Sequence, residues 1–260
     1  MENKYTFRHF NHFVGALNDD IVLGYTKRSN GLSAYPEDSF NMALYIGDDE
    51  KNVHQHQDML AKEINFPVNH WMLPIQKHGA NIKEVTSDHR GLNSRQLTDN
   101  FYDVDGIYSY EVGILLTMNY ADCIPVYIWS ETDNFHGLVH AGWRGTSLEI
   151  TKKLIDVYQG RIEDLRVAIG PGISGSHYEV DKNVIDQLSY PDEAVVKTTT
   201  GYNLDLKKIN QQQARDAGLR DQQIYVSDFG TEETPFFSYR LEKGNTGRAL
   251  AFIGRKQTDD

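Results

Sequence analysis

Three side chains far apart in the sequence carry donor atoms suited to a metal ion. They are His78 in Gln76-Lys-His-Gly79, Cys123 in Asn119-Tyr-Ala-Asp-Cys-Ile-Pro125, and His140 in Val139-His-Ala-Gly-Trp-Arg-Gly-Thr146. Two imidazoles and one thiolate are the number of protein ligands that a catalytic zinc takes while keeping a fourth position open for water or substrate. That combination predicts an enzyme. Cys123 is the only cysteine in 260 residues, and the spacings of 45 and then 17 residues match no short local metal motif. Taken one at a time, a histidine is more often a hydrogen-bonded surface residue, and a lone cysteine a small buried hydrophobe. Context favours chemistry: His78 adjoins Gly79, Cys123 follows Asp122, and His140 ends an apolar run two residues before Gly142.

The segment from His140 to Ser147 adds a place for an anion. Gly142 and Gly145 permit close approach of the backbone, and Arg144 supplies a planar cationic fork. A helix beginning near Ser147 would aim its free N–H groups the same way. A plain strand-to-helix turn with a solvated Arg144 fits the same residues, and spacing leaves both readings open.

These residues must be positioned by strands. Apolar runs rich in β-branched and aromatic residues occur at Ile21–Tyr25, Trp71–Ile75, Val112–Met118, Ile124–Trp129, Phe135–Val139, Leu165–Ile169 and Ala249–Ile253, each bounded by Gly, Pro, Asn or Asp. His78 follows the second run, Cys123 lies between two runs, and His140 closes another, so all three fall where rigid scaffold meets loop. Helical periodicity appears at Val53, Leu60 and Ile64. It appears again at Leu148, Ile155 and Tyr158 before Gly160, and at Leu206, Ile209 and Ala217 before Gly218. Thr146-Ser-Leu-Glu149 has the form of a capping box for the second of these helices. Strands outnumber helices and follow one another without a helical crossover from Val112 to Phe135, which predicts a mixed or antiparallel sheet in an α+β fold. With no repeat, low-complexity tract or Pro/Gly/Ser linker, the expectation is one domain over residues 1–260.

The formal charge is −11, and no Lys/Arg run is present. Such a surface repels a polyphosphate backbone, so nucleic acid is not an expected partner, whereas a small anion in a local arginine pocket is compatible. The longest nearly uncharged apolar run, Gly113 to Met118, is far short of the ~20 residues that span a bilayer. A chain with one cysteine makes no internal disulfide, which fits a reducing, cytoplasmic setting.

Longer blocks carry a resemblance. Gln76-Lys-His-Gly79, Ala121-Asp-Cys-Ile-Pro-Val126, His140-Ala-Gly-Trp-Arg-Gly145, Ile169-Gly-Pro-Gly-Ile173 with Tyr178-Glu-Val180, and Phe236-Phe-Ser-Tyr-Arg240 with Thr246-Gly-Arg248 resemble successive blocks of the YfiH/YlmD/FAMIN family. That family was long labelled polyphenol oxidase or laccase and is now regarded as purine nucleoside phosphorylase and adenosine deaminase. The resemblance runs in order from Ser39-Phe-Asn41 to Arg248. It implies a layered α/β/β/α single domain with mixed sheets, and zinc held by His78, Cys123 and His140. It also implies phosphorolysis of adenosine, inosine, guanosine and methylthioadenosine with inorganic phosphate, and deamination of adenosine. Asn41, Arg144, Glu179 and Arg240 are the candidate substrate contacts, and Asp122 and Glu179 the candidate proton carriers. The chain departs from the usual pattern at Gly172 and at Val226-Ser-Asp-Phe-Gly230, where cysteines are common, and at His56-Gln57, where Asn-Arg is common. A basic contact near Gln57 is therefore expected to be missing.

Other chemistries fit the same residues. Cys123 could act as a nucleophile with His140 or His78 as base, as in thiol hydrolases. A copper-dependent polyphenol oxidase fits less well, because multicopper sites need many clustered histidines. A regulator with a structural zinc is disfavoured by the count of three ligands, since structural sites are normally closed by four.

Overall fold

The computed structural model describes residues 7–18, 20–34 and 39–257. Two six-stranded sheets form its centre. The first runs, in order across the sheet, Arg8–His9, Phe13–Leu17, Ile21–Thr26, Ala249–Arg255, Ile114–Tyr120 and Trp71–Met72. The second runs Ile224–Val226, Leu165–Ile169, Ile124–Ser130, His136–Ala141, Gly106–Ser109 and Ile82–Glu84. Interior pairs are antiparallel, while one edge of the first sheet and both edges of the second pair in parallel, so both sheets are mixed. A small antiparallel sheet joins Glu179–Val180, Tyr202–Leu204 and Val195–Lys197.

Successive strand residues face opposite ways, and this alternation sorts the apolar residues into layers. Leu116, Met118, Tyr127, Leu138 and Ile253 meet between the two sheets. Their neighbours Leu115 and Phe252 face outward from the first sheet, against Leu60 and Ile64 of helix α1 (Glu50–Ile64). Val126, Ile128 and Val139 face outward from the second, against α3 (Ile150–Val157) and α5 (Leu206–Asp216). The fold is thus a layered α/β/β/α arrangement, and strands buried on both faces read as continuous apolar runs. Two shorter helices complete it: α2 (Trp143–Ser147) and α4 (Lys182–Ile185). Among the described residues no helix is long and apolar enough to cross a membrane.

Local chemistry sets the helix ends. Asp49 caps α1 by accepting from Lys51 N, Asn65 closes it in the left-handed conformation, and Asp205 caps α5 by accepting from Lys208 N. The expected capping box at Thr146–Glu149 is not formed. Thr146 lies inside α2, and Glu149 takes φ 58° with no side-chain cap, so one expected helix is two pieces with a kink between them. The anticipated strand Trp71–Ile75 stops at Met72, two residues before Pro74, which has no N–H for the ladder. The one expected from Val112 begins at Ile114, because Gly113 turns the chain at φ 71°.

His136 makes the fold acid-sensitive. It is fully buried on the second sheet, and burial, with Arg255 adding to it, lowers its pKa from 6.5 to about 4. The unfolded chain therefore binds this proton below pH 6.5 when the folded one does not. Stability from His136 is fully present above that pH and falls by about 3 kcal/mol on going down to pH 4. Denaturant midpoints across this range should drop less steeply for His136→Gln, which keeps a donor for Asn134 O; an unchanged slope would refute the assignment.

Candidate metal centre

The strand Ile114–Tyr120 belongs to the first sheet and Ile124–Ser130 to the second, so the turn carrying Cys123 crosses between them. Antiparallel register then sets Ile124 opposite Ala141 and Pro125 opposite His140, which brings His140 beside Cys123. His78 arrives from the loop beyond Trp71–Met72 with φ 62°, an uncommon conformation for a residue with a side chain. The ligand atoms of His78, Cys123 and His140 all lie within 4.8 Å of one another, and the two imidazole rings meet edge to face at 4.7 Å. Tetrahedral zinc with ordinary Zn–N and Zn–S bonds separates its ligand atoms by about 3.3 to 3.6 Å, so small side-chain rotations close the site around an ion. The donors grade from exposed His78 through half-buried Cys123 to buried His140, which leaves access on the His78 side. Gly142 is required for this approach, since a Cβ there would stand 2.9 Å from Cys123 Sγ.

Asp105 organises the centre, although no sequence motif points to it. It is fully buried, and its Oδ1 accepts from His140 Nδ1 at 2.8 Å and from His78 N at 3.0 Å. Its Oδ2 accepts from Lys77 N at 3.0 Å and Gly79 N at 2.9 Å. One carboxylate thus holds the loop of one ligand and orients the ring of another, leaving His140 Nε2 for the metal. Burial alone would raise the Asp105 pKa, but the bonds from His140 and the loop N–H groups outweigh it and hold the group ionised.

The same field acts on the thiol. Burial raises the Cys123 pKa, yet the charge of His140 and hydrogen bonds from both histidines overcome this and bring it down to about 6. His140 moves the other way, to about 10: burial opposes its charge, and Cys123 and Asp105 more than compensate. At neutral pH the metal-free pair is therefore thiolate and imidazolium, and the sulfur is in the form that binds metal or attacks an electrophile.

Arginines and tyrosines surround the centre. Arg144, in the first turn of α2, is exposed and lies over the Trp143 ring at 4.9 Å. The anticipated helix start near Ser147 is thereby moved to Gly142, closer to the ligands. Arg240 lies over Tyr178 at 4.8 Å and donates to Glu179 O at 2.6 Å. The Tyr178 hydroxyl is pushed up in pKa by burial and Cys123, with Arg240 and Arg144 pulling it down, which places both guanidinium groups in the field of the site. Arg248, to which the sequence reading assigns no role, lies over Tyr239 at 5.4 Å and bonds Tyr45, itself within the field of Cys123.

Three further sequence candidates are tied to their surroundings by hydrogen bonds. Both carboxylate oxygens of Asp122 accept a hydrogen bond, from Thr231 Oγ1 at 2.7 Å and Arg240 N at 2.6 Å, so it ties two loops together. The Glu179 carboxylate accepts from Thr198 and Thr200, leaving only its backbone oxygen on Arg240. Asn41 is fully buried, and its amide bonds Ala43, Asp48 and Arg248 N, shaping the loop. Gln57 is also buried, donating to Ser94 O and accepting from Arg95, which supplies a cation at that position from another segment.

The molecule is thus a two-sheet α+β fold with a nitrogen, nitrogen and sulfur group at the junction of its sheets that could hold a metal ion. Residues 22–256 match the family described as multi-copper polyphenol oxidoreductase laccase, and the chain belongs to that family. It is 47% identical over 244 residues, 91% of this chain and 92% of the relative, to a purine nucleoside phosphorylase of Staphylococcus epidermidis. It is 43% identical over 247 residues, 92% of this chain and 94% of the relative, to purine nucleoside phosphorylase SAR1163 of Staphylococcus aureus. The crystal structure of YlmD from Geobacillus stearothermophilus superposes with a TM-score of 0.90 at 38% identity, covering 97% of this chain and all of that one. The Bacillus licheniformis protein YfiH superposes at 0.91 with 32% identity, covering 96% and 99%.

Proposed function

We propose that this chain is a zinc-dependent purine nucleoside phosphorylase that also deaminates adenosine, working as a single cytoplasmic catalytic domain. The observation that carries this reading is the centre of His78, Cys123 and His140, oriented by Asp105 and set among Arg144, Arg240 and Arg248. The close relatives named as phosphorylases support the reaction class. His78, Cys123 and His140 hold the metal; when bound, zinc supplies a Lewis acid that brings the pKa of water toward ~7, as attack on the purine ring requires. Arg144 and Arg240 hold phosphate against the ribose of adenosine, inosine, guanosine or methylthioadenosine and stabilise the charge that develops there. Asp122 and Glu179 remain the candidate proton carriers, each carboxylate oxygen accepting one hydrogen bond from the protein. A free thiol that must stay reduced to bind metal suits the cytosol. The family's oxidase label fits the donor set poorly: among the described residues one group of three ligands is found, not the histidine clusters of a multicopper site.

Protein purified with zinc should convert inosine and phosphate into hypoxanthine and ribose 1-phosphate in equal amounts, with no oxygen uptake on phenols. Free ribose, or oxygen uptake by copper-free protein, would sink this reading. Arg144→Ala should slow phosphorolysis by about 10- to 1000-fold, the scale of one lost charge-assisted contact in a transition state. Deamination uses no phosphate and should suffer less, so equal losses would assign Arg144 to the shared nucleoside pocket. The thiolate–imidazolium pair also suits a cysteine hydrolase. Iodoacetamide labelling of Cys123 that is fast with or without zinc would favour that alternative.

A further inference from the structure

Tyr45 has no part in holding metal or phosphate, yet the structure fixes it beside both. The residue is 54% exposed, but its hydroxyl end lies within the protein: burial raises its pKa, the charge and hydrogen bond of Arg248 lower it, and Cys123 raises it again. The ring therefore stands near the metal ligands with its polar tip held and much of its surface open. Its loop is built to keep it there. Fully buried Asn41 donates Nδ2 to Asp48 Oδ2 at 2.8 Å, which closes the segment 41–48 on itself, and fully buried His56 donates Nδ1 to Asn41 O at 2.7 Å. Arg248 is fixed as firmly. Its N donates to Asn41 Oδ1 at 3.0 Å, its Nη1 donates to Thr246 O at 2.7 Å and Gly247 O at 3.0 Å, and its guanidinium lies over the Tyr239 ring. Among the described residues Tyr45 belongs to none of the three apolar clusters, so this set of buried polar bonds positions a ring that the core does not use.

The surroundings of Cys123 differ from one side to the other. Tyr178 shares its field with Arg240 and Arg144, the arginines assigned to phosphate, whereas Tyr45 shares it with Arg248. Displacement at C1′ brings phosphate and base to opposite faces of that carbon, so a ribose beside the metal ligands with phosphate at Arg144 and Arg240 puts its base across from them. We propose that Tyr45 is the binding residue on which the purine base stacks, held in place by Arg248, and that its ring sets the preference of the site for a flat two-ring base. A purine offers that face two fused rings and a pyrimidine one. The proposal rests on the nucleoside phosphorylase reading and adds to it the part of the protein that meets the base.

Equilibrium dialysis of hypoxanthine and of ribose 1-phosphate against the full chain purified with zinc reads the two halves of the site separately. Tyr45→Ala should weaken hypoxanthine binding by about 10- to 100-fold, the usual loss when an aromatic under a base is truncated, and leave ribose 1-phosphate binding within about twofold of the parent. Tyr45→Phe keeps the ring and should recover most of the hypoxanthine affinity. In phosphorolysis of inosine the loss in Tyr45→Ala should fall on KM more than on kcat, as expected for an interaction made equally in the ground and transition states. Tyr45 is exposed, so both variants should melt with the parent protein, which a thermal scan checks. No hypoxanthine binding by the parent, equal binding by Tyr45→Ala, equal losses for hypoxanthine and ribose 1-phosphate, or a Tyr45→Phe variant as weak as Tyr45→Ala would overturn the proposal. A parent protein that binds hypoxanthine through Tyr45 but forms no ribose 1-phosphate from inosine would instead sink the phosphorylase reading and leave the stacking residue in place.

Discussion

Cys123→Ala is expected to leave the purified protein with little zinc and to lower phosphorolysis and deamination together by at least about a thousandfold, since an open site that loses one of three ligands no longer holds its ion at working concentrations. Cys123 supplies the only thiolate, and its sulfur is poised for binding by the two histidines that join it in the site. Metal analysis beside the parent protein is the direct measurement. Undiminished zinc stoichiometry would refute the site as drawn. Thermal stability should fall only in part, because three apolar clusters on both sides of the sheets hold the chain independently of any ion.

Asp105→Asn should be nearly as damaging, although it removes no ligand. Asparagine keeps the shape but must place an NH2 where one carboxylate oxygen stood. At the Oδ1 position the NH2 would face His78 N–H and the Nδ1–H of His140; at Oδ2 it would face the N–H groups of Lys77 and Gly79. Either orientation sets donors against donors in a fully buried place, so stability should fall by roughly 2 to 5 kcal/mol. Zinc affinity should fall about 10- to 100-fold, the usual cost of losing the partner that orients a histidine ligand. Competition with a chromophoric chelator measures the affinity, and an unchanged dissociation constant would show that His140 is oriented without Asp105.

The contrast between these two residues shows what each level of description carries. Cys123, His78 and His140 are legible in the sequence because their donor atoms are a property of residue type, and because turn-forming neighbours place each at a strand end. Asp105 has no such signal. Its partners are backbone N–H groups 26 to 28 residues away and one ring 35 residues away, and they converge only when His78 adopts its left-handed φ. The same difference hides the partners of Asp122 and Glu179 from the sequence, since their oxygens accept from Thr231, Arg240, Thr198 and Thr200, which lie 19 to 118 residues away.

By itself, the sequence determined the donor set, the strands, the apolar stripe of α1 and the acidic surface, all of which depend on residue type or on neighbours a few positions away. The split of the expected helix at Glu149 was decided by packing. Asn210 bonds both Thr146 and Thr151, and Gln213 holds Thr146 O, so α5 draws the two short helices together around the kink. The crossing of the Cys123 turn from one sheet to the other, and the register that sets His140 beside it, were likewise decided by tertiary structure. Two mixed sheets bury more apolar surface face to face than either buries alone, and the candidate metal centre lies where that packing makes the chain change sheets.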